Sequence, residues 1–188
     1  EESELIEEIM GRHRPMEVRV AQDADERARL WAGRKGALGA LGRLAPNYYL
    51  IDGTIPRTRL VEGMAKIKEL SAESGFPIAN VLHAGDGNLH PSILFDERKP
   101  GETERILELG GQILKLCVDE GGVLSGEHGI GIEKREYMPF MFNEHDLSAM
   151  KQLKEAFDTR DALNPGKIFP QGIDENHYAQ SGAINGAG

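Results

Sequence analysis

His83-Ala84-Gly85-Asp86-Gly87-Asn88-Leu89-His90 lies between two apolar runs, Pro77-Ile78-Ala79-Asn80-Val81-Leu82 before it and Pro91-Ser92-Ile93-Leu94-Phe95 after it. Two short β-rich runs around a Gly-Asp-Gly-Asn centre read as a hairpin, with Asp86-Gly87 as the two-residue turn. Counting outward from that turn, Gly85 faces Asn88, Ala84 faces Leu89, and His83 faces His90. Directly opposed residues share a face, with Cβ atoms roughly 4.5–5.5 Å apart. Two imidazoles held in that way can converge on one ion, at metal–nitrogen distances of about 2.0–2.1 Å if it is zinc. The bland alternative is a surface hairpin carrying two unrelated histidines. The chain has six histidines, and two of them fall in this one window, which favours the ligand reading.

The flanking segments set the fold class. Tyr48–Ile55 reads as a strand ended by Pro56. Leu60, Met64, Ile67 and Leu70 trace one face of a helix that Gly75 terminates. The two hairpin strands follow. Ile106, Leu109, Ile113, Leu116 and Cys117 then form the stripe of a second helix, closed by Gly121-Gly122, and Val123-Leu124 makes a short final strand. The order is β-α-β-β-α-β, the ferredoxin-like arrangement. This predicts an α+β fold, an antiparallel sheet with helices on one face, over residues 47–170.

Residues 1–46 are expected to supply a partial α-β-α segment of the same domain. An amphipathic helix is predicted over about 3–11, a strand over Met16–Val20, and a helix capped by Asp23 or Asp25 that carries Leu30, Trp31 and Arg34 to about Lys35. Glycines 33, 36, 39 and 42 loosen the next stretch, which is expected to be irregular helix or loop. Asn143 or Asp146 caps a last helix bearing Leu147, Met150, Leu153 and Phe157, Asn164-Pro165-Gly166-Lys167 turns the chain, and residues 171–188 read as a mobile tail. Glu1 to Met10 resembles the middle of a helix, so the chain is expected to be a fragment whose N-terminal part lies elsewhere.

Composition narrows the function. A net charge of −9 with no basic block argues against nucleic-acid binding. No apolar run approaches the length of a membrane span. Cys117 is the sole cysteine, which excludes an internal disulfide and suits a reducing compartment such as the cytoplasm. On its apolar helical face Cys117 reads as core rather than nucleophile, and His13, His145 and His177 read as solvated.

A second unusual stretch is Ser125-Gly126-Glu127-His128-Gly129-Ile130-Gly131. Its glycines permit tight backbone and close approach. If the strand before it joins the hairpin's sheet, Glu127 becomes a third ligand beside His83 and His90, with a position left open for substrate. His128 cannot share Glu127's direction in extended chain, so it is better placed as a neighbouring base than as a fourth ligand. The glycines have neither dinucleotide-binding nor Walker spacing. Arg34 offers a bidentate fork for a carboxylate.

Together, His83–His90 and Ser125–Gly131 resemble the C-terminal domain of FAD-linked oxidases, the group that includes the glycolate oxidase flavin subunit and the D-lactate and D-2-hydroxyglutarate dehydrogenases. Further matches are Trp31-x-x-Arg34-Lys35, Asn47-Tyr48-Tyr49, Asp52-Gly-Thr-Ile-Pro56, Glu133-Lys134-Arg135 and Asn164-Pro-Gly-Lys167. The resemblance implies that His83, His90 and Glu127 hold a divalent metal (zinc, manganese or iron), that His128 is the catalytic base, and that Arg34 binds the substrate carboxylate. It places Asn164 toward the flavin. It implies FAD gripped mainly by a separate N-terminal domain, a small 2-hydroxy acid as substrate, and an electron-acceptor subunit as a possible partner. Relatives acting on dicarboxylates carry polar residues near Leu38 and Leu50. Those positions are apolar here, which points to glycolate or D-lactate. The competing readings are a self-contained metal-dependent hydrolase and a non-enzymatic ferredoxin-like binding domain.

Overall fold

The structure, a computed structural model, describes residues 2–172. The expectations for His177 and for a tail beyond residue 172 lie outside the described residues. Contacts cluster into two compact units, residues 1–40 and 41–188.

The first unit holds α1 (Glu2–Arg12) and most of α2 (Ala24–Leu41). Asp23 caps α2, its Oδ1 accepting the Glu26 N–H at 2.7 Å. The helix runs through Gly33, Gly36 and Gly39 to Leu41, regular where irregular helix or loop was expected. Each glycine costs about 1 kcal/mol relative to alanine, but strong formers such as Arg34, Lys35, Ala37 and Leu38 stand between them. The strand predicted over Met16–Val20 is irregular chain, with Met16, Val18 and Val20 all exposed. Alternation alone cannot make a strand, because its backbone groups need a neighbour to pair with. The expected α-β-α segment is therefore two helices joined by coil.

The second unit is an α+β fold on one antiparallel sheet. Its elements are β1 (Asn47–Leu50), β2 (Gly53–Thr54), α3 (Leu60–Ser74), β3 (Ile78–His83), β4 (Asn88–Phe95), α4 (Glu102–Asp119) and α5 (Glu144–Phe157). β4 is central, pairing β3 along one edge and β1 and β2 along the other. The predicted strand over 48–55 is thus split in two, although its register is unbroken: Leu50 faces Ser92 and Gly53 faces Leu89. The break falls opposite Pro91. The Ile51 N–H donates to the Pro91 carbonyl at 2.9 Å, but proline has no N–H to return. The final strand is reduced to a single antiparallel bridge between Val123 and Thr54. That bridge lies beside the first strand, which lies beside the third, which lies beside the second, in the order expected of the split βαβ motif.

The core lies on one face of the sheet. Ile51, Leu89 and Ile93 pack with Ile67 of α3 and with Ile106, Leu109, Ile113 and Leu114 of α4. Gly75 ends α3 with φ +76°, as its position predicted. Cys117 is 1% exposed in this core, and burial pushes its thiol up to about 12, which keeps it protonated and inert. Asn143 and Asp146 both cap α5. The Asn143 side chain accepts the Asp146 N–H at 3.0 Å, and Asp146 accepts the Asn143 N–H at 3.1 Å. With α3 and α4 on one face, β4 presents Asn88, His90 and Ser92 on the other.

Candidate metal centre

The hairpin turn differs from the expectation. Its loop is Ala84–Gly87, four residues rather than two, closed by the Asp86 and Gly87 N–H groups on the His83 carbonyl at 3.2 and 3.1 Å. His83 consequently faces Asn88, and His90 faces Val81. The direct pairing of His83 with His90 is overturned. A two-residue shift nonetheless preserves the strand's alternation, so both histidines remain on one face as diagonal neighbours. Their ring centroids are 5.3 Å apart at 85°. Gly87 explains the longer loop. It holds φ +78°, and a Cβ there would run into the Ile55 carbonyl; the Ile55 N–H donates to the Gly87 carbonyl at 3.0 Å.

Glu127 reaches both rings. Its Oε1 is 2.8 Å from His90 Nε2 and 3.8 Å from His83 Nε2. His128 joins the same group, its ring stacked on His90 at 5.2 Å and 25°. Four sequence-derived site residues, His83, His90, Glu127 and His128, are therefore brought together. Arg34 is exposed on α2 in the first unit. Asn164 sits in a left-handed turn at φ +50°, where its Oδ1 accepts the Lys167 ammonium at 3.0 Å.

The loop carrying Glu127 and His128 is wrapped around a residue to which the sequence reading gave no role. Counting inward from the flanking pairs places Asp52 opposite His90 on the sheet. Its carboxylate is fully buried and accepts the Ser125 hydroxyl at 2.7 Å, the Gly126, Glu127 and His128 N–H groups at 3.1, 3.1 and 3.0 Å, and the Lys134 ammonium at 2.8 Å. Lys134 also donates to the Asp52 carbonyl at 2.7 Å and to Ser125 Oγ at 3.0 Å. Burial by itself would raise the Asp52 pKa. The Lys134 ammonium, the backbone N–H groups and the Ser125 hydroxyl outweigh it and hold the carboxyl well below the usual range. Successive N–H groups converging on one anion form a nest, whose side chains splay outward. That is how Glu127 and His128, adjacent in sequence, both reach His90; the segment is not the extended chain that would have sent them apart. Gly126 is required here because a Cβ would collide with the Asn88 amide. The signal in the sequence was a single acid, Asp52, at an otherwise apolar strand position beside Ile51.

The donors suit a divalent ion. Tetrahedral bonds of about 2.0–2.1 Å would hold ligand atoms about 3.3 Å apart; Glu127 Oε1 lies 2.8 Å from His90 Nε2 and 3.8 Å from His83 Nε2, and the donor atoms that gather within 4.8 Å of one another belong to Asp52, His90, Glu127 and His128. Among the described residues, Asn88 Oδ1, His90 Nδ1 and Ser92 Oγ are buried without a protein hydrogen-bond partner, and all three lie on the histidine-bearing face of β4. Buried polar atoms rarely go unsatisfied, so this face is built to meet polar groups from outside the chain.

Comparison with known proteins gives the family. Residues 1–168 match the family described as FAD linked oxidases, C-terminal domain. The chain is 50% identical over 170 residues to the glycolate oxidase subunit GlcD of Escherichia coli (strain K12), covering 90% of this chain and 34% of that protein. It is 39% identical over 166 residues to GlcD of Bacillus subtilis (strain 168), covering 88% and 35%. It is 34% identical over 179 residues to the mitochondrial D-lactate dehydrogenase [cytochrome] of Kluyveromyces lactis, covering 92% and 30%. The chain thus spans about a third of the length of the curated relatives it matches. No helix among the described residues is long and apolar enough to cross a membrane. With the family match running through both motif stretches, the chain belongs to the FAD-linked oxidases, in which it corresponds to the C-terminal domain.

Proposed function

We propose that this chain is the substrate- and metal-side domain of an FAD-dependent D-2-hydroxy acid dehydrogenase or oxidase, with glycolate or D-lactate converted to the 2-oxo acid. The observation that carries the reading is the approach of Glu127 Oε1 to His90 Nε2 at 2.8 Å and to His83 Nε2 at 3.8 Å, beside a third histidine, His128, in a chain of this family. When bound, a divalent metal would supply Lewis-acid polarisation of the substrate hydroxyl, and FAD, held mainly by an N-terminal domain, would supply the redox capacity for the oxidation.

The chain's own residues divide the remaining work. His83, His90 and Glu127 hold the ion. His128, stacked on His90 yet partly exposed, takes the hydroxyl proton as general base, a role typically contributing about 10²–10⁴-fold in rate. Arg34 would orient the substrate through its carboxylate, and Asn164 would contribute to holding the flavin. The apolar Leu38 and Leu50 give a second substrate carboxylate no partner, which favours a small monocarboxylic acid over 2-hydroxyglutarate. Cytoplasmic location and an electron-acceptor subunit complete this reading.

The test uses the full-length protein. His128→Ala should abolish turnover of glycolate and D-lactate while elemental analysis still finds one metal per chain, and His83→Ala should strip the metal. Unchanged turnover in the first variant, or stoichiometric metal in the second, refutes the assignment.

A further inference from the structure

We propose that Asp52 is the positioning residue of this centre: clamped by Lys134, its side chain holds the Ser125–Gly129 loop in the conformation that turns Glu127 and His128 toward His83 and His90. The inference rests on the reading of His83, His90 and Glu127 as metal ligands.

Asp52 is close enough to be mistaken for a ligand itself. Its oxygen and donor atoms of His90, Glu127 and His128 all lie within 4.8 Å of one another. Its hydrogen bonds commit it to the loop instead. A carboxylate has about four lone-pair sites, and here five groups donate to it: the Ser125 hydroxyl, three consecutive backbone N–H groups and the Lys134 ammonium. All five reach Oδ2, and the Glu127 N–H is shared with Oδ1, so the carboxylate is largely taken up by the loop and by Lys134, and the residue is 0% exposed.

The same bonds define what Asp52 does. Four of the five donors belong to the Ser125–His128 stretch. Asp52 itself stands on the sheet opposite His90, so one carboxylate ties the loop carrying Glu127 to the strand carrying His90. Ser125 extends the clamp by accepting the Gly129 N–H at 2.8 Å, which fixes the far end of the loop. Lys134 reaches in from beyond the loop and bridges Asp52 and Ser125. Asparagine has nearly the same shape but turns one acceptor into a donor, which would face N–H groups and an ammonium. Without the anion the nest has nothing to close on, and the outward aim of Glu127 and His128 is lost.

The test is a Co²⁺ titration of the full chain followed by visible absorption, whose band position and intensity report the ligand geometry. It compares wild type with Asp52→Asn, Ser125→Ala and Glu127→Gln, at a temperature where circular dichroism shows each to be folded. Asp52→Asn should bind Co²⁺ about 10–100-fold more weakly with an altered band, as loss of a group that orients ligands typically does. Ser125→Ala should fold and weaken binding by a smaller factor. A merely structural Asp52 would lower stability and leave the folded protein's affinity and band unchanged. Folded Asp52→Asn with wild-type affinity and spectrum, while Glu127→Gln loses both, overturns the positioning role. If Asp52→Asn does not fold, wild-type affinity in Ser125→Ala overturns it. Failure of wild type to bind Co²⁺, or of Glu127→Gln to weaken it, refutes the metal reading and the positioning role with it.

Discussion

Replacing Lys134 by methionine tests the buried pair on which the candidate centre is built. The two side chains are 4% and 0% exposed, and Lys134 makes three hydrogen bonds, to the Asp52 carbonyl, the Asp52 carboxylate and Ser125 Oγ. Methionine fills much of the volume but leaves Asp52 as a buried charge without a counter-ion. Breaking a buried pair from one side costs about 3–5 kcal/mol. The Ser125 hydroxyl and three backbone N–H groups still serve the carboxylate, so the lower end, about 3 kcal/mol, is expected. With a urea dependence of about 2 kcal/mol/M, the unfolding midpoint should fall by about 1.5 M with no change in slope. Far-UV circular dichroism in urea measures it. The double variant Asp52→Asn/Lys134→Met should be less destabilised than the sum of the singles, by about 1–3 kcal/mol, because the uncompensated ion is gone. A midpoint loss below about 0.5 M for Lys134→Met, with additive singles, would show that water reaches the pair and refute the reasoning.

Three further outcomes follow from local structure. Gly87→Ala should lower stability by about 1–3 kcal/mol in thermal unfolding, since it places a side chain at φ +78° and against the Ile55 carbonyl. Asn143→Ala removes the cap of α5 and should cost about 0.5–2 kcal/mol in the same assay. Glu120 is paired with Lys66 and Arg59, which hold its carboxyl below the ordinary range against the opposing effect of burial. A depressed folded-state pKa contributes stability above the unfolded value of about 4.3, lost as pH falls through the folded value. The urea midpoint of Glu120→Gln should therefore lie below wild type at pH 6, with the gap closing below about pH 4; a gap independent of pH would contradict the pairing.

Periodicity and punctuation made most of the fold legible before any coordinates. The stripes of α3 and α4, the stop at Gly75 and the capping pair Asn143–Asp146 are local, and local rules read them correctly. The strand over Met16–Val20 failed because a strand exists only through its partner, and the interruption after Leu50 failed to appear because its cause, Pro91, is forty residues away in the chain.

Sequence alone determined which groups were available to the centre: two histidines on one strand face, a glutamate and a histidine between glycines, and the α+β order that sets their segments side by side. Parity protects the histidine pair whether the turn has two residues or four, since a slip of two residues leaves a side chain on the same face. Only the tertiary structure decided how Glu127 and His128 point. Their direction is set by a buried carboxylate beside Ile51, shielded from solvent and gathering consecutive N–H groups, and no spacing within the Ser125–Gly129 loop records that long-range contact.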